Sequence, residues 1–113
     1  MKYLIFDILK TGHHSEYINH LVDYVVNNDT NNIYIFVVNP YFSVYFPEIV
    51  KKASSCEKIK WLEVSEQEFL ACTNGSFFKT SIAYYRLMDK YSKLHNTHQT
   101  IILYFNVFQL SFI

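Results

Sequence analysis

The sequence predicts an α/β fold: a Rossmann-like open, mostly parallel sheet of about four strands, with helices on both faces. Three observations predict it. Strand-like runs alternate with helix-like runs along the chain. The strand-like runs are short and almost continuously apolar, as strands covered on both faces are. Finally, 113 residues, 50% of them hydrophobic and 18% charged, can build one core but not two, so residues 1–113 are expected to form a single domain.

Residues 2–8 (KYLIFDI) read as a buried first strand, with Asp7 its one internal charge. Thr11-Gly12 breaks that pattern. From His14 to Val26 the apolar positions Tyr17, Ile18, Leu21, Val22, Val25 and Val26 fall on one helical stripe. The polar run 27–32 ends the helix. Residues 33–38 (IYIFVV) form the most apolar strand candidate, closed by Asn39-Pro40. Residues 41–53 are open between a short helix started by Pro47 and irregular chain. Residues 58–64 (KIKWLEV) alternate as a third strand, with Ile59, Trp61 and Glu63 on one face.

Ser65 followed three residues later by Glu68 is a capping-box pattern and predicts a helix start, with a stop near Asn74-Gly75. Ser76 opens a longer helix whose expected apolar side is Phe78, Ile82, Tyr85 and Met88 or Asp89. Phe77-Phe78 and Tyr84-Tyr85 read as core packing rather than base-stacking platforms. After a polar break at 95–99, residues 100–105 (TIILYF) read as a fourth strand. His95 and His98 then belong at the edge opposite the ligand-binding loops, as surface residues.

Composition excludes several function classes. Ten basic and ten acidic residues cancel, so no nucleic-acid partner is expected. Cys56 and Cys72 are too few for a disulfide scaffold or a four-ligand zinc site, and unpaired thiols point to a reducing, cytoplasmic setting. No signal segment is visible at the start, where Asp7 interrupts the apolar stretch. The apolar run at 100–113 is too short to span a bilayer, and its lack of a polar tail is read as a sign of truncation.

Ligands of open parallel sheets bind beyond the carboxyl ends of the strands. Four loops meet that condition: 9–15, 39–43, 65–68 and 106–109. In the first, Gly12-His13-His14-Ser15-Glu16 lies where strand one turns into helix one, and the free N–H groups of a helix start suit a phosphate or carboxylate. Two adjacent imidazoles could also donate to sugar hydroxyls, though a tight turn with exposed histidines is an equal reading. One glycine cannot supply G-x-G-x-x-G and no P-loop is present, so no dinucleotide cofactor is expected. A His13–Glu16–His20 metal site is outweighed by a solvated polar face, and no metal is expected. Asp7 and Asn106 share the same edge and could orient a substrate hydroxyl, with a structural, backbone-bonded carboxylate favoured for Asp7. G-x-S-x-G is absent and neither cysteine has a histidine near it in sequence, so nucleophilic catalysis lacks support.

The opening KYLIFDILKTGHHSEYINHLVDYV resembles the start of bacterial glycosyltransferases of the GT-B type, through a strand, a Gly-His-His loop and an E-Y-I-x-H-L helix. TIILYFNVFQLSFI resembles the fourth strand and following helix of the same amino-terminal half. The resemblance implies two Rossmann-like halves facing a cleft, the amino-terminal one binding the acceptor and the other the nucleotide sugar. It implies further that Gly12, Ser15, Glu16, Asp7 and Asn106 line a substrate or diphosphate loop. In that family frame His13 and His14 are the catalytic candidates, steadying charge on the departing diphosphate. The donor-binding half would be missing, the chain alone inactive, and the acceptor a glycan or a lipid-linked molecule at the inner face of a membrane. Two other readings stand beside it: a stand-alone α/β binding or regulatory domain, and a fragment that self-associates through an exposed sheet edge.

Overall fold

A computed structural model describes residues 1–8, 14–28 and 31–102, apart from the side chains of His14 and Ile102. The elements run β1 (Lys2–Asp7), α1 (His14–Asn27), β2 (Ile33–Val38), α2 (Phe42–Tyr45), α3 (Pro47–Ser54), β3 (Ile59–Glu63), α4 (Glu66–Thr73), α5 (Phe77–His95) and β4 (Gln99–Ile102). The strands form one sheet in the order β3-β2-β1-β4, every pairing parallel. Lys2 stands opposite Ile33, Tyr34 opposite Ile59 and Tyr3 opposite Gln99, so all four strands start at one edge of the sheet and end at the other.

Alternation along the strands divides the core into two layers. Leu4, Phe6, Ile8, Ile35, Val37 and Val64 pack with Phe69 and Cys72 of α4 and with Tyr84 and Leu87 of α5. Ile5, Tyr34, Phe36, Val38 and Ile59 pack with Ile18, Val22 and Val25 of α1, Phe42 of α2 and Ala53 of α3. Helices therefore cover both faces. β2 is apolar throughout, and β1 from Tyr3 to Phe6, because both faces of these strands are buried, at about 1.5–3 kcal/mol per large side chain. Trp61 closes the α1/α3 layer by stacking on Phe36, with ring centroids 5.5 Å apart.

Several local features are settled. Of the two readings open for 41–53, the helix is formed: Pro47 opens α3 at its first helical position, where its missing N–H costs nothing. The capping box forms as two reciprocal bonds, Glu68 N to Ser65 Oγ at 3.0 Å and Ser65 N to the Glu68 carboxylate at 2.9 Å. The Ser76 hydroxyl caps α5 by accepting from Lys79 N. That helix ends at Asn96, which adopts the left-handed conformation with φ 53°.

Others are corrected. The buried residues of α5 are Thr80, Ser81, Tyr84 and Leu87; of the expected side, Tyr85 and Met88 pack half-buried against the core, but Phe78 and Ile82 do not. Phe78 is 64% exposed, and Phe77 and Ile82 are exposed with it, so the Phe77-Phe78 pair is not core. The reason is the tyrosine. Tyr84 meets Phe6 edge to face at 5.1 Å, which turns positions 80, 84 and 87 inward. The Thr80 hydroxyl tolerates burial by donating to the carbonyls of Ser76 and Phe77. On α1, Tyr17 and Val26 lie outside the buried stripe of Ile18, Val22 and Val25. β3 uses both faces, Leu62 and Val64 packing opposite Ile59 and Trp61. The described part of the fourth strand begins one residue earlier than expected, at Gln99; residues 103–105 lie outside the described residues.

Candidate functional site at the carboxyl edge of the sheet

The parallel register brings the ends of the strands together along one edge, where Asp7, Val38, Glu63 and Ile102 terminate β1, β2, β3 and β4. Moving from β1 through β2 to β3 the chain winds in one direction; β4 lies on the other side of β1. The order therefore reverses between β1 and β4, which is where open α/β sheets form their ligand crevice.

At β2 the polar groups are occupied by one another. Asn39 is 4% exposed, and its side-chain oxygen accepts from Tyr41 N at 2.9 Å in an Asx-type turn. Its carbonyl accepts from Phe42 N at 3.3 Å. The Tyr41 hydroxyl donates to Glu66 at 3.0 Å, and that bond to a carboxylate raises the phenol above its ordinary pKa. Ser43 donates to Glu63 through both its backbone N–H, at 3.1 Å, and its hydroxyl, at 3.2 Å. These ties clamp α2 onto the end of β3.

At β3 the capping box does the same. Glu68 serves Ser65, receives the Lys90 ammonium at 2.8 Å and the Tyr91 hydroxyl at 3.2 Å. Burial alone would push this carboxyl up, but Lys90 and the bonds from Ser65 outweigh it, and Glu68 lies below its ordinary pKa. Two of the four candidate loops are thus closed internally. Loops 39–43 and 65–68 were expected as candidates, but the pairings Ser43–Glu63 and Tyr41–Glu66 were not, because partners 20 and 25 positions apart leave no local signal.

The other two candidate loops, 9–15 and 106–109, are described only at Ser15 and the backbone of His14, beside the end of β1 and the start of α1. Asp7 is 2% exposed at the last position of a central strand, beside Val38 and on the same sheet face as Ile5. That face is the one α1 covers. α1 begins at His14, so His14, half-buried Ser15 and exposed Glu16 make its first turn, whose N–H groups have no carbonyl within the helix to bond. Gly12, His13 and Asn106 lie outside the described residues, as does the His13 arm of a His13–Glu16–His20 arrangement.

The opposite edge carries the other histidines. His98 is exposed and its Nδ1 accepts from Lys2 N at 2.9 Å. His95 is half-buried rather than a plain surface residue; it stacks on Tyr91, and burial followed by the nearby Lys60 and Lys2 charges lowers its pKa. Both cysteines are free, Cys56 half-buried and Cys72 buried, and burial pushes the Cys72 thiol up to about 11. Such a thiol is no nucleophile at neutral pH.

Grooves elsewhere are open and shallow: one of about 400 Å³ between α5 and β4, at Arg86, Asp89 and Thr100, and one of about 300 Å³ between α4 and α5, at Cys72 and Lys90. Among the described residues no cluster of three or more His, Cys, Asp or Glu groups could hold a metal ion. No helix among them is long and apolar enough to cross a membrane. In comparisons with known proteins, no family model, no curated protein and no solved structure gives a significant match to this chain.

Proposed function

We propose that this chain is the acceptor-side half of a sugar-transferring enzyme of the GT-B type, which its opening residues resemble. The observation that carries the reading is positional. A buried carboxylate, Asp7, ends the central strand next to the point where strand order reverses, and the segment carrying Gly12 and His13 leads directly into the first turn of α1. Asp7, Ser15 and Glu16 supply acceptors and a hydroxyl there, the groups that bind neutral sugar hydroxyls. The N–H groups of the first turn and the His13 and His14 imidazoles act as donors toward a leaving phosphate. A donor nucleotide sugar is bound mainly by a second half, and the acceptor is a glycan or a lipid-linked sugar.

The test is a ¹H–¹⁵N titration of the full chain with short oligosaccharides, UDP- and GDP-sugars and inorganic pyrophosphate. Shifts are expected at Asp7 and at His14 to Tyr17, with oligosaccharides producing the larger ones. Gly12→Val should abolish them while leaving the circular-dichroism melt unchanged. Saturating oligosaccharide that leaves these residues unmoved, or that moves only the grooves beside α5, would overturn the proposal.

A further inference from the structure

The two outer strands of the sheet are finished differently. β3, at one end of the order, carries Lys60 and Glu63, and Ser43 is tied to it through Glu63. β4, at the other end, reads Gln99-Thr100-Ile101-Ile102, with neither a charge nor a proline in it. Charges and prolines keep an edge strand from pairing with another chain, so β4 is the unguarded edge. Its outward groups can be named. Lys2 bonds His98 through both its N–H and its carbonyl, so the even-numbered residues of β1 face β4. Leu4 stands opposite Thr100, and in a parallel ladder the residue opposite a bonded one turns its own N–H and C=O the other way. Thr100 therefore presents both groups outward.

Both shoulders of that edge are apolar. On one face Phe78, Ile82 and Tyr85 follow each other along one side of α5, and Tyr85, Met88 and Asp89 continue that side into the groove at Thr100. On the other face Asn19 and Asp23 tie one flank of α1 to Lys52 of α3, which leaves Tyr17, Leu21 and Tyr24 on the flank toward β4. Leu21 packs on the same layer as Ile101 of β4. Phe78, Tyr17 and Tyr24 are 64%, 48% and 55% exposed. Together they leave roughly 330 Å² of aromatic surface in water. That is a large share of the ~800 Å² per partner that a specific interface buries.

We propose that two copies of this chain join edge to edge through β4, antiparallel about a two-fold axis near Thr100, so that their two sheets become one. An axis perpendicular to the sheet keeps its faces together, with α5 against α5 and α1 against α1. Each flank then meets a copy of itself. Tyr85 and Met88 pack across the axis, and Arg86 of one copy comes opposite Asp89 of the other, twice. Asp89 also holds Lys93 at 2.9 Å, an exposed pair that occupies one of its two oxygens. On the other face Tyr17 and Tyr24 lie on either side of Leu21, so Tyr17 of one copy meets Tyr24 of the other. Opposite charges and matching apolar flanks in self-complementary order select a second copy as the occupant. The inference does not depend on the glycosyltransferase reading, since the two carboxyl edges end up at opposite sides of the joined sheet.

The test is sedimentation velocity of the full chain from about 1 to about 200 μM, where a reversible dimer with a Kd on the order of 10 μM is expected. Thr100→Pro removes the outward N–H while keeping the bonds to β1, and should weaken the dimer about tenfold. Phe78→Ser and Tyr24→Ser should each weaken it about tenfold as well. Arg86→Asp should do the same, and adding Asp89→Arg should restore most of the loss, a rescue that a folding defect would not show. Tyr45→Ser, on α2 away from β4, should dimerise like the parent, and circular dichroism confirms that every variant is folded. A monomer at every concentration, as residues 103–113 laid over this edge would give, would overturn the proposal. A dimer indifferent to Thr100→Pro, a charge swap without rescue, or open-ended assembly beyond the dimer would do so too.

Discussion

Replacing Glu68 by alanine should cost about 2 kcal/mol, and the reason is the number of groups its carboxylate serves. It accepts from Ser65 N at 2.9 Å, from Lys90 at 2.8 Å and from the Tyr91 hydroxyl at 3.2 Å. The lost half of the capping box contributes about 1 kcal/mol. Leaving the part-buried Tyr91 hydroxyl without its acceptor contributes about 1 kcal/mol more. Lys90 adds little, since its side chain is mostly in water. Glu66 provides the control. It occupies the same first helical turn and feels the same helix dipole, but it accepts from the hydroxyl of Tyr41 at the surface.

Thermal and urea unfolding followed by circular dichroism should show Glu68→Ala melting about 8 °C lower, with Glu66→Ala losing less than half as much. The pH dependence adds a second check. The folded-state pKa of Glu68 is lowered, so its contribution is present above the ordinary carboxylate value and is lost as pH falls through the lower folded value. The gap between parent and Glu68→Ala should therefore narrow by about pH 3. If Glu66→Ala cost as much as Glu68→Ala, the helix dipole would explain both losses and the network would explain neither. A gap unchanged at pH 3 would likewise sink the argument.

The thiols and His95 make two further predictions. With a pKa raised from 9.0 to about 11, Cys72 holds about 100-fold less thiolate at pH 8, so Cys56 should react first with a disulfide reagent. Labelling of Cys72 as fast as Cys56 under native conditions would contradict its burial. Folding lowers the pKa of His95 from 6.5, so protonation favours the unfolded chain and stability declines as pH falls below about 6.5 toward the folded value. His95→Gln should flatten that decline, and Lys60→Gln should move the His95 titration, read by its ring-proton shifts, back upward. A His95 titration that ignores Lys60→Gln would remove the lysine from the explanation.

The fold was legible where the signal was local. The apolar strand 33–38, the Ser65–Glu68 capping box, the Ser76 cap and Pro47 each act within a few residues, and the structure carries all of them. What was misjudged depended on tertiary contacts. Helical periodicity cannot tell whether α5 turns in Phe78 and Ile82 or Thr80, Tyr84 and Leu87, because both sets share the spacing of a helix. Phe6, 78 positions away, decides it by meeting the edge of Tyr84. The same holds at the candidate site. Asp7 was visible as a lone charge in an apolar strand, and it is buried as expected. The closure of the β2 and β3 loops by Tyr41–Glu66 and Ser43–Glu63 was not visible, since residues 20 and 25 apart meet only once the strands are in register.

For the transfer reaction proposed above, that closure and the carboxylates at this edge bear on which partner the edge would serve. A diphosphate is an anion, and the described groups at the carboxyl edge include Asp7, Glu16, Glu63 and Glu66. At an effective dielectric constant of about 20, one unit charge about 8 Å from a carboxylate is repelled by about 2 kcal/mol. The start of α1 offsets only about 0.3–1 kcal/mol of such a charge, and Glu16 in its first turn already draws on that field. A neutral sugar incurs no such cost. Its hydroxyls donate to carboxylates, and the bonds strengthen as water is excluded. Under the proposed transfer reaction, electrostatics therefore favours a neutral acceptor over a diphosphate at this edge.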